Sequence, residues 1–198
     1  MKLNLVERLI TNSPMRAYVQ RYFEGPMLRR MASRKQYPLC LEIGSGRGVG
    51  AEVIVKLFGA GKVIATDFDP AQLKRAKKRL KPGYKDKIEF KVADAMALDE
   101  PDGKFDAVFS FGVIHHTEDW KKAVKEIARV LKPGGEFFFE EPLRPFMRNF
   151  LVKKFTGHPE GGVFGLDEFG DALKEAGVDI INLRRLGNMA AAGMGRKK

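Results

Sequence analysis

Apolar and polar positions follow two textures along the chain. Near the N-terminus, Leu3, Val6, Leu9 and Ile10 recur at helical spacing. Ser13-Pro14 then offers a helix cap followed by proline at the first helical position. This pattern predicts two N-terminal helices, the second carrying Tyr18, Val19, Tyr22 and Phe23 among arginines until Gly25-Pro26 interrupts it. From Pro38 onward, short apolar runs ending in Gly or Asp alternate with amphipathic segments of about ten residues, as βαβ units require. Strands are predicted at 39–43, 63–66, 88–92, 107–111 and 136–140, and helices at 49–58, 71–80 and 120–131, with a turn near 95–98. Lys132-Pro133-Gly134-Gly135 stops the last helix and turns into the fifth strand.

Residues 141–165 break the rhythm with three prolines, several cations and the aromatics Phe146, Phe150, Phe155 and Phe164. So long a connection is expected to be a lid or substrate-recognition element. Its segment 144–155 mixes cations with large apolar residues and admits three readings: a lid over an apolar substrate, an interfacial helix on anionic lipid, or a core-packed helix. Beyond it a helix is predicted at 166–177 and two strands at 178–186 and 188–196, turned at Gly187-Asn188. The Ala and Gly content of the last strand suits β structure poorly. The pattern as a whole predicts an α/β fold: a domain over 38–198 with a helical appendage over 1–37.

Composition narrows the picture. A chain of 198 residues, 44% hydrophobic, suffices for one α/β core with appendages. Its longest apolar stretches, such as 107–114, fall short of the roughly 18 to 20 residues of a membrane span, and charges stand where a signal peptide needs its apolar region. A cytoplasmic location is expected, with peripheral membrane contact still open. Cys40 is the only cysteine, which excludes an internal disulfide and a multi-thiolate zinc site; in its apolar run it reads as a small core residue. The net charge of +11 is uneven: residues 1–37 carry eight Lys/Arg against two Asp/Glu, 38–140 carry eighteen against sixteen, and 141–198 carry ten against seven. That surplus favours nucleic acid, anionic membrane or a negatively charged substrate without choosing among them. The cations Lys74, Arg75, Lys77, Lys78, Arg79 and Lys81 read as a solvated helix face rather than an RNA site.

The chemistry is concentrated at strand ends. A first strand ending in Glu42 runs into Gly44, Ser45, Gly46, Arg47 and Gly48 and then a helix, a turn through which backbone can approach a nucleotide-like ligand. Val49 stands where a dinucleotide fingerprint has its third glycine, and no Gly-Lys-Ser/Thr of a P-loop follows. The second strand ends in Thr66-Asp67-Phe68-Asp69-Pro70. Asp67 is about twenty residues beyond the turn, placed to accept ribose hydroxyls, and Asp69 is placed to cap the next helix. The third strand ends in Ala93-Asp94-Ala95-Met96. Three successive strands thus end in acids on one edge, where parallel sheets bind ligands.

Taken together, Leu-Glu-Ile-Gly-Ser-Gly-Arg-Gly, Ala-Thr-Asp-Phe-Asp-Pro, Val-Ala-Asp-Ala, Phe-Asp-Ala-Val-Phe-Ser, Val-Ile-His-His-Thr-Glu-Asp-Trp and Leu-Lys-Pro-Gly-Gly-Glu make this sequence resemble the class I S-adenosylmethionine-dependent methyltransferases, in the small-molecule branch of the quinone methyltransferases. The resemblance covers half of the chain, from Leu41 to about Glu140. It implies a Rossmann-like, doubly wound sheet of seven strands, mostly parallel with the last antiparallel, and S-adenosylmethionine as cofactor. It further implies cofactor contacts at Glu42, Gly44, Ser45, Gly46 and Gly48, at Asp67 and Phe68, at Asp94 and Ala95, and at Ser110. Among these, Glu42 and Gly44 would lie near the methionine part, Asp67 at the ribose, and Asp94 at the adenine amino group.

Methyl transfer from a sulfonium is a direct displacement needing alignment and sometimes proton removal, with no metal or covalent intermediate. His115 and His116, delivered by the fourth strand, are the candidate bases. Asp119-Trp120 reads as a helix cap with a packing anchor. The sequence contains no Asn/Asp-Pro-Pro-aromatic tetrad, no Pro-Cys and no carboxylate-rich metal cluster. A small-molecule acceptor, lipophilic or anionic, is therefore expected. The rival readings are RNA or protein methylation driven by the basic N-terminus, and a non-catalytic protein that keeps the fold as a scaffold.

Overall fold

In the computed structural model, which describes residues 9, 11–148 and 162–198, the seven predicted strands are β1 (Leu39–Ile43), β2 (Lys62–Asp67), β3 (Ile88–Val92), β4 (Phe105–Phe111), β5 (Leu131–Pro142), β6 (Val178–Leu186) and β7 (Ala190–Lys197). They form one sheet in the order β3-β2-β1-β4-β5-β7-β6. β1 to β5 pair in parallel, and β7 runs antiparallel to both β5 and β6. This is the seven-stranded, mostly parallel arrangement with an antiparallel last strand that the resemblance implied. The Lys132–Gly135 turn survives as an irregularity in the β4/β5 register: Phe105 faces Leu131 while Ala107 faces Glu136.

Helices cover both faces. On one, α3 (Val49–Phe58) packs with the N-terminal segment, and Tyr37, Phe58, Phe109 and Phe138 form a continuous ring cluster. On the other, α5 (Trp120–Val130) and α7 (Leu166–Glu175) bury Trp120, Val124, Ile127, Phe169 and Leu173. α4 (Pro70–Arg79) flanks β2 and β3; it is capped by Asp69, which accepts the Ala71 N–H, and presents Lys74, Arg75, Lys77 and Lys78 to solvent. Asp119 likewise caps α5 through the Lys122 N–H, and Trp120 is buried against Phe164 and Phe169.

The N-terminal segment departs from expectation. Ser13 caps α1 (Pro14–Val19) as predicted, through the Arg16 N–H at 3.0 Å. Gly25-Pro26, however, does not interrupt the helical run. A π turn over Gln20–Glu24 leads directly into α2 (Gly25–Arg29). Proline has no N–H and its ring crowds the carbonyl one turn earlier, and the wider turn accommodates both constraints. The stretch after α2 is tied to the sheet by Glu136, fully buried, which accepts hydrogen bonds from Ser33, Tyr37 and Arg196. Most of the first predicted helix lies outside the described residues, although Leu9 is described and exposed.

After β5 the chain forms α6 (Arg144–Met147), and the rest of the predicted lid up to residue 161 lies outside the described residues. Its two described ends meet where the Arg144 N–H donates to the Phe164 carbonyl at 2.8 Å. Phe164 belongs to the core beside Trp120 and Phe169, not to a lid.

The small residues of β7 have a packing reason. A Cβ on Gly193 would come within 2.6 Å of the Phe139 ring and 2.7 Å of the Asn182 carbonyl. Gly193→Ala is therefore expected to lower unfolding free energy by about 1–3 kcal/mol through overpacking. Chemical denaturation of both proteins checks this.

Candidate functional site

A cleft of ≈ 790 Å³ opens at the carboxyl ends of β1, β2, β4 and β5, with α1 and α6 along its sides. Gly44, Ser45, Gly46, Asp67, Phe68, Asp94 and Ala95 line it, and so do His115 and His116. Glu42, Gly48 and Ser110 are buried behind its wall instead.

The turn after β1 sets the cleft floor. Gly46, at φ 50°, faces open space: a Cβ there would meet no atom within 4 Å. Gly48 serves packing, since a Cβ on it would approach the Phe90 ring to 2.9 Å. Asp67 holds the turn: one carboxylate oxygen accepts the Gly46 N–H at 2.8 Å and the other the Asp69 N–H at 2.9 Å. Each oxygen retains a second lone pair for a hydroxyl donor. Burial raises the Asp67 carboxyl from its ordinary value, and the N–H groups of Asp69 and Gly46 oppose the shift. Asp94 accepts the Met96 N–H through one oxygen. Ser45 Oγ and Gln72 Oε1 are buried on the same wall with no hydrogen-bond partner among the described residues.

These features suit the cofactor that the resemblance implied. An open glycine turn, carboxylates with spare lone pairs and unsatisfied polar atoms fit a ligand bearing a ribose, an adenine amino group and an amino acid.

Glu42 is buried, with its carboxyl against Gly50 beside the Gln20 amide and accepting the Ala51 N–H at the start of α3, and its Oε2 has no hydrogen-bond partner among the described residues. Burial first, and the nearby Asp67 charge second, push it up to about 8, so the carboxyl is neutral at pH 7.

The far end of the cleft is organised by Glu141, which strand-end reasoning passed over. Its Oε1 accepts from Ser110 Oγ at 2.8 Å, Ile114 N at 3.0 Å and Val113 N at 3.1 Å, while Oε2 lies 2.8 Å from His115 Nδ1. Burial alone would raise this carboxyl, but His115, the backbone donors and Ser110 together hold it below the usual carboxylate range. Ser110 thus supports Glu141 from behind the wall. The available signal was the pair Glu140-Glu141 at the end of an apolar strand, since buried acids need donors.

Beside it, Arg16 of α1 reaches Glu24, lies 3.6 Å from Glu140 and donates to the Phe111 carbonyl at 3.3 Å. Burial, and secondarily the Glu24 charge, push Glu140 up to about 8. Glu140 Oε2, the His115 ring and Arg16 Nη2 converge on the space over Gly112, each within 4 Å of where a Cβ would stand. Met15, Val19, Val113, Phe146 and Met147 supply apolar wall.

Residues 41–139 match the family described as "Methyltransferase domain". A probable S-adenosylmethionine-dependent methyltransferase of Mycolicibacterium smegmatis is 34% identical over 181 residues, covering 85% of this chain and 68% of its own. The ubiquinone/menaquinone biosynthesis C-methyltransferase of Hahella chejuensis is 36% identical over 126 residues, covering 60% and 50%. The chain spans between 29% and 53% of the length of four curated relatives that it matches. A solved structure of a SAM-dependent methyltransferase from Aquifex aeolicus superposes with a TM-score of 0.78 over 100% of both chains at 19% identity, a likeness of fold. Among the described residues no helix is long and apolar enough to cross a membrane, and no group of three or more His, Cys, Asp or Glu side chains could hold a metal.

Glu42 and Glu141 make opposite contributions to stability against pH. Glu42 has a folded pKa near 8 above the ordinary 4.5, so its contribution is full below 4.5 and lost as pH rises toward 8. Glu42→Gln is expected to melt progressively higher than wild type across that window. Glu141 has a lowered folded pKa, so its contribution is present above the ordinary value and lost in acid. Glu141→Gln is expected to melt lower at neutral pH, with the gap closing as pH falls through the carboxylate range. Thermal melts across pH 2 to 9 read both, and parallel curves would refute the assignments.

Proposed function

The chain belongs to the methyltransferase-domain family, with S-adenosylmethionine as its cofactor, and from that premise we propose that it transfers the cofactor's methyl group to a hydroxyl of a small, lipophilic acceptor. The observation that carries this reading is the single cleft. Gly44 to Gly46, Asp67 and Asp94 line one end of it, and His115, Glu140 and Phe146 line the other.

At the cofactor end, Gly46 would leave room for the amino-acid part, Asp67 would accept from the ribose hydroxyls and Asp94 from the adenine amino group, with Ala95 and Phe68 beside the base. Ser45 Oγ donates to the carboxylate. Glu42 and Gly48 act at one remove, Glu42 by fixing the start of α3 and Gly48 by seating the turn against Phe90. When bound, the cofactor supplies an electrophilic methyl carbon on sulfur.

At the acceptor end, His115 accepts the hydroxyl proton at Nε2, the ring nitrogen remote from Glu141. The Glu141 carboxylate fixes the ring and offsets the charge of the imidazolium. Glu141 is in this reading a positioning residue. His116 shapes the same wall. An anionic acceptor is disfavoured because Arg16 is already matched by Glu24, with Glu141 adjacent. The apolar walls favour a lipophilic one, as do the names of three relatives, a ubiquinone/menaquinone biosynthesis C-methyltransferase, a tocopherol O-methyltransferase and a sterol 24-C-methyltransferase. Lys74, Arg75, Lys77 and Lys78 of α4 are solvated and do not line the cleft, so this basic face takes no part in holding the acceptor.

Calorimetric titration with S-adenosylmethionine tests the first half. Asp67→Ala is expected to weaken binding by about 1.5–3 kcal/mol, for loss of hydrogen bonds to a charged group. Absence of heat and of thermal stabilisation in the wild type would leave a non-catalytic scaffold. Transfer of labelled methyl to a panel of alkylated phenols and hydroquinones tests the second half. With any acceptor found, His115→Asn is expected to lower kcat by about 10²–10⁴ while cofactor affinity holds. Undiminished turnover would remove His115 from proton transfer.

A further inference from the structure

Two neighbouring acids at the end of β5 stand in opposite surroundings. Glu141 collects Ser110 Oγ, the N–H groups of Val113, Ile114 and His115, and the His115 ring. Glu140 lines the cleft with a side chain only 22% exposed, and no described residue donates a hydrogen bond to its carboxyl. Arg16 Nη2 is 3.6 Å away, beyond hydrogen-bond distance, and Arg16 is held by Glu24 and the Phe111 carbonyl. The Glu140 carboxyl therefore meets the cleft with its hydrogen-bonding capacity unused. Burial, and next the charge of Glu24, favour its neutral form, in which one oxygen carries a proton to donate and the other accepts.

The surroundings decide what can meet this carboxyl. Arg16 repels a cation brought here, and Glu24 and Glu141 repel an anion, so the complement is a neutral group that both donates and accepts, as a hydroxyl does. Its position is set by Gly112. At φ 70° this residue leaves an open spot beside the backbone, with Glu140 Oε2 at 3.5 Å, His115 Cε1 at 3.8 Å and Arg16 Nη2 at 3.9 Å from where a Cβ would stand. Two ligand oxygens that meet Glu140 and the His115 ring around one such spot belong on neighbouring atoms. Val113, Phe146 and Met147 supply apolar wall for the ring and chain that carry them.

We propose that Glu140 selects the acceptor by holding a second oxygen on the carbon next to the one whose hydroxyl is methylated, so that the acceptor is an ortho-diphenol with an apolar substituent. The proposal rests on the reading above, hydroxyl methylation with His115 as base. The first hydroxyl gives its proton to His115 Nε2, its oxygen bonds to the methyl carbon, and the electron pair of the broken carbon–sulfur bond stays on sulfur. Glu140 keeps its proton throughout and determines specificity.

The test compares methyl transfer from S-adenosylmethionine to an alkylcatechol, the matching alkylphenol and the matching para-hydroquinone, under reducing conditions. Wild type is expected to show a KM for the catechol about tenfold below those of the other two, the value of one hydrogen bond. Glu140→Ala is expected to close that gap, and Glu140→Gln to keep most of it, because a carboxamide also donates and accepts. A merely structural role would lower melting temperature or kcat without changing the ratio of KM values. Glu140→Met, which conserves volume, serves if Glu140→Ala does not fold. A gap that is absent in wild type, or that survives in Glu140→Ala, overturns the proposal and leaves hydroxyl methylation standing. A fall in cofactor affinity in Glu140→Ala overturns it by placing the carboxyl at the cofactor. If a chain that binds cofactor methylates no phenol of any pattern, the hydroxyl reading itself fails, and the proposal with it.

Discussion

The carboxylate of Asp67 joins the two loops that make the cleft. Gly46, at φ 50°, donates its N–H to one oxygen, and Asp69, the cap of α4, donates to the other. The turn after β1 and the turn after β2 are therefore set by one side chain, reinforced by Ser45 N–H to the Thr66 carbonyl and Thr66 Oγ1 to the Glu42 carbonyl. Order established within the protein in this way need not be imposed by the ligand, and the affinity of the cofactor end depends on it. The strain of positive φ is confined to glycine, where it costs little.

The two ends of the cleft show how one residue type takes opposite states. Glu42 and Glu141 are equally buried, so the desolvation of a charge acts on both. Glu42 has the Ala51 N–H as its donor, stands near the Asp67 charge, and is neutral. Glu141 gathers Ser110, three backbone N–H groups and the His115 ring, and stays ionised. The number of donors decides the state, because each hydrogen bond to the charged form recovers part of the lost hydration. Neutral Glu42 can sit beneath the glycine turn without repelling Asp67, while ionised Glu141 gives His115 a fixed counter-charge.

Much of this was legible in the chain. Apolar runs ending in Gly or Asp located the strands, because strands covered on both faces carry little polar signal until they reach the ligand edge. Caps at Ser13, Asp69 and Asp119 follow from side chains that compete for backbone N–H groups, and each is found in place. What could not be read was direction. Glu42 and Ser110 stand near the ends of their strands at the ligand edge, yet strand position alone does not say whether a side chain enters the cleft or turns behind it. Glu141 depended on four partners from a separate loop and strand, which no local spacing encodes. The π turn before Pro26 and the tolerance of β7 for glycine depend on backbone geometry and on the Phe139 ring, both tertiary facts.

One short helix links the interior to the exterior. On its inner side α1 commits Arg16 to Glu24, Glu140 and the Phe111 carbonyl, which fixes the helix over the acceptor end. On its outer side it exposes Tyr18, and Met15 is exposed at the cleft. In water the outer side is a standing cost, since apolar area left exposed forgoes roughly 25 cal/mol per Å². A helix held on its inner side by the Arg16–Glu24 ion pair and the Phe111 carbonyl can present Tyr18 outward without loosening.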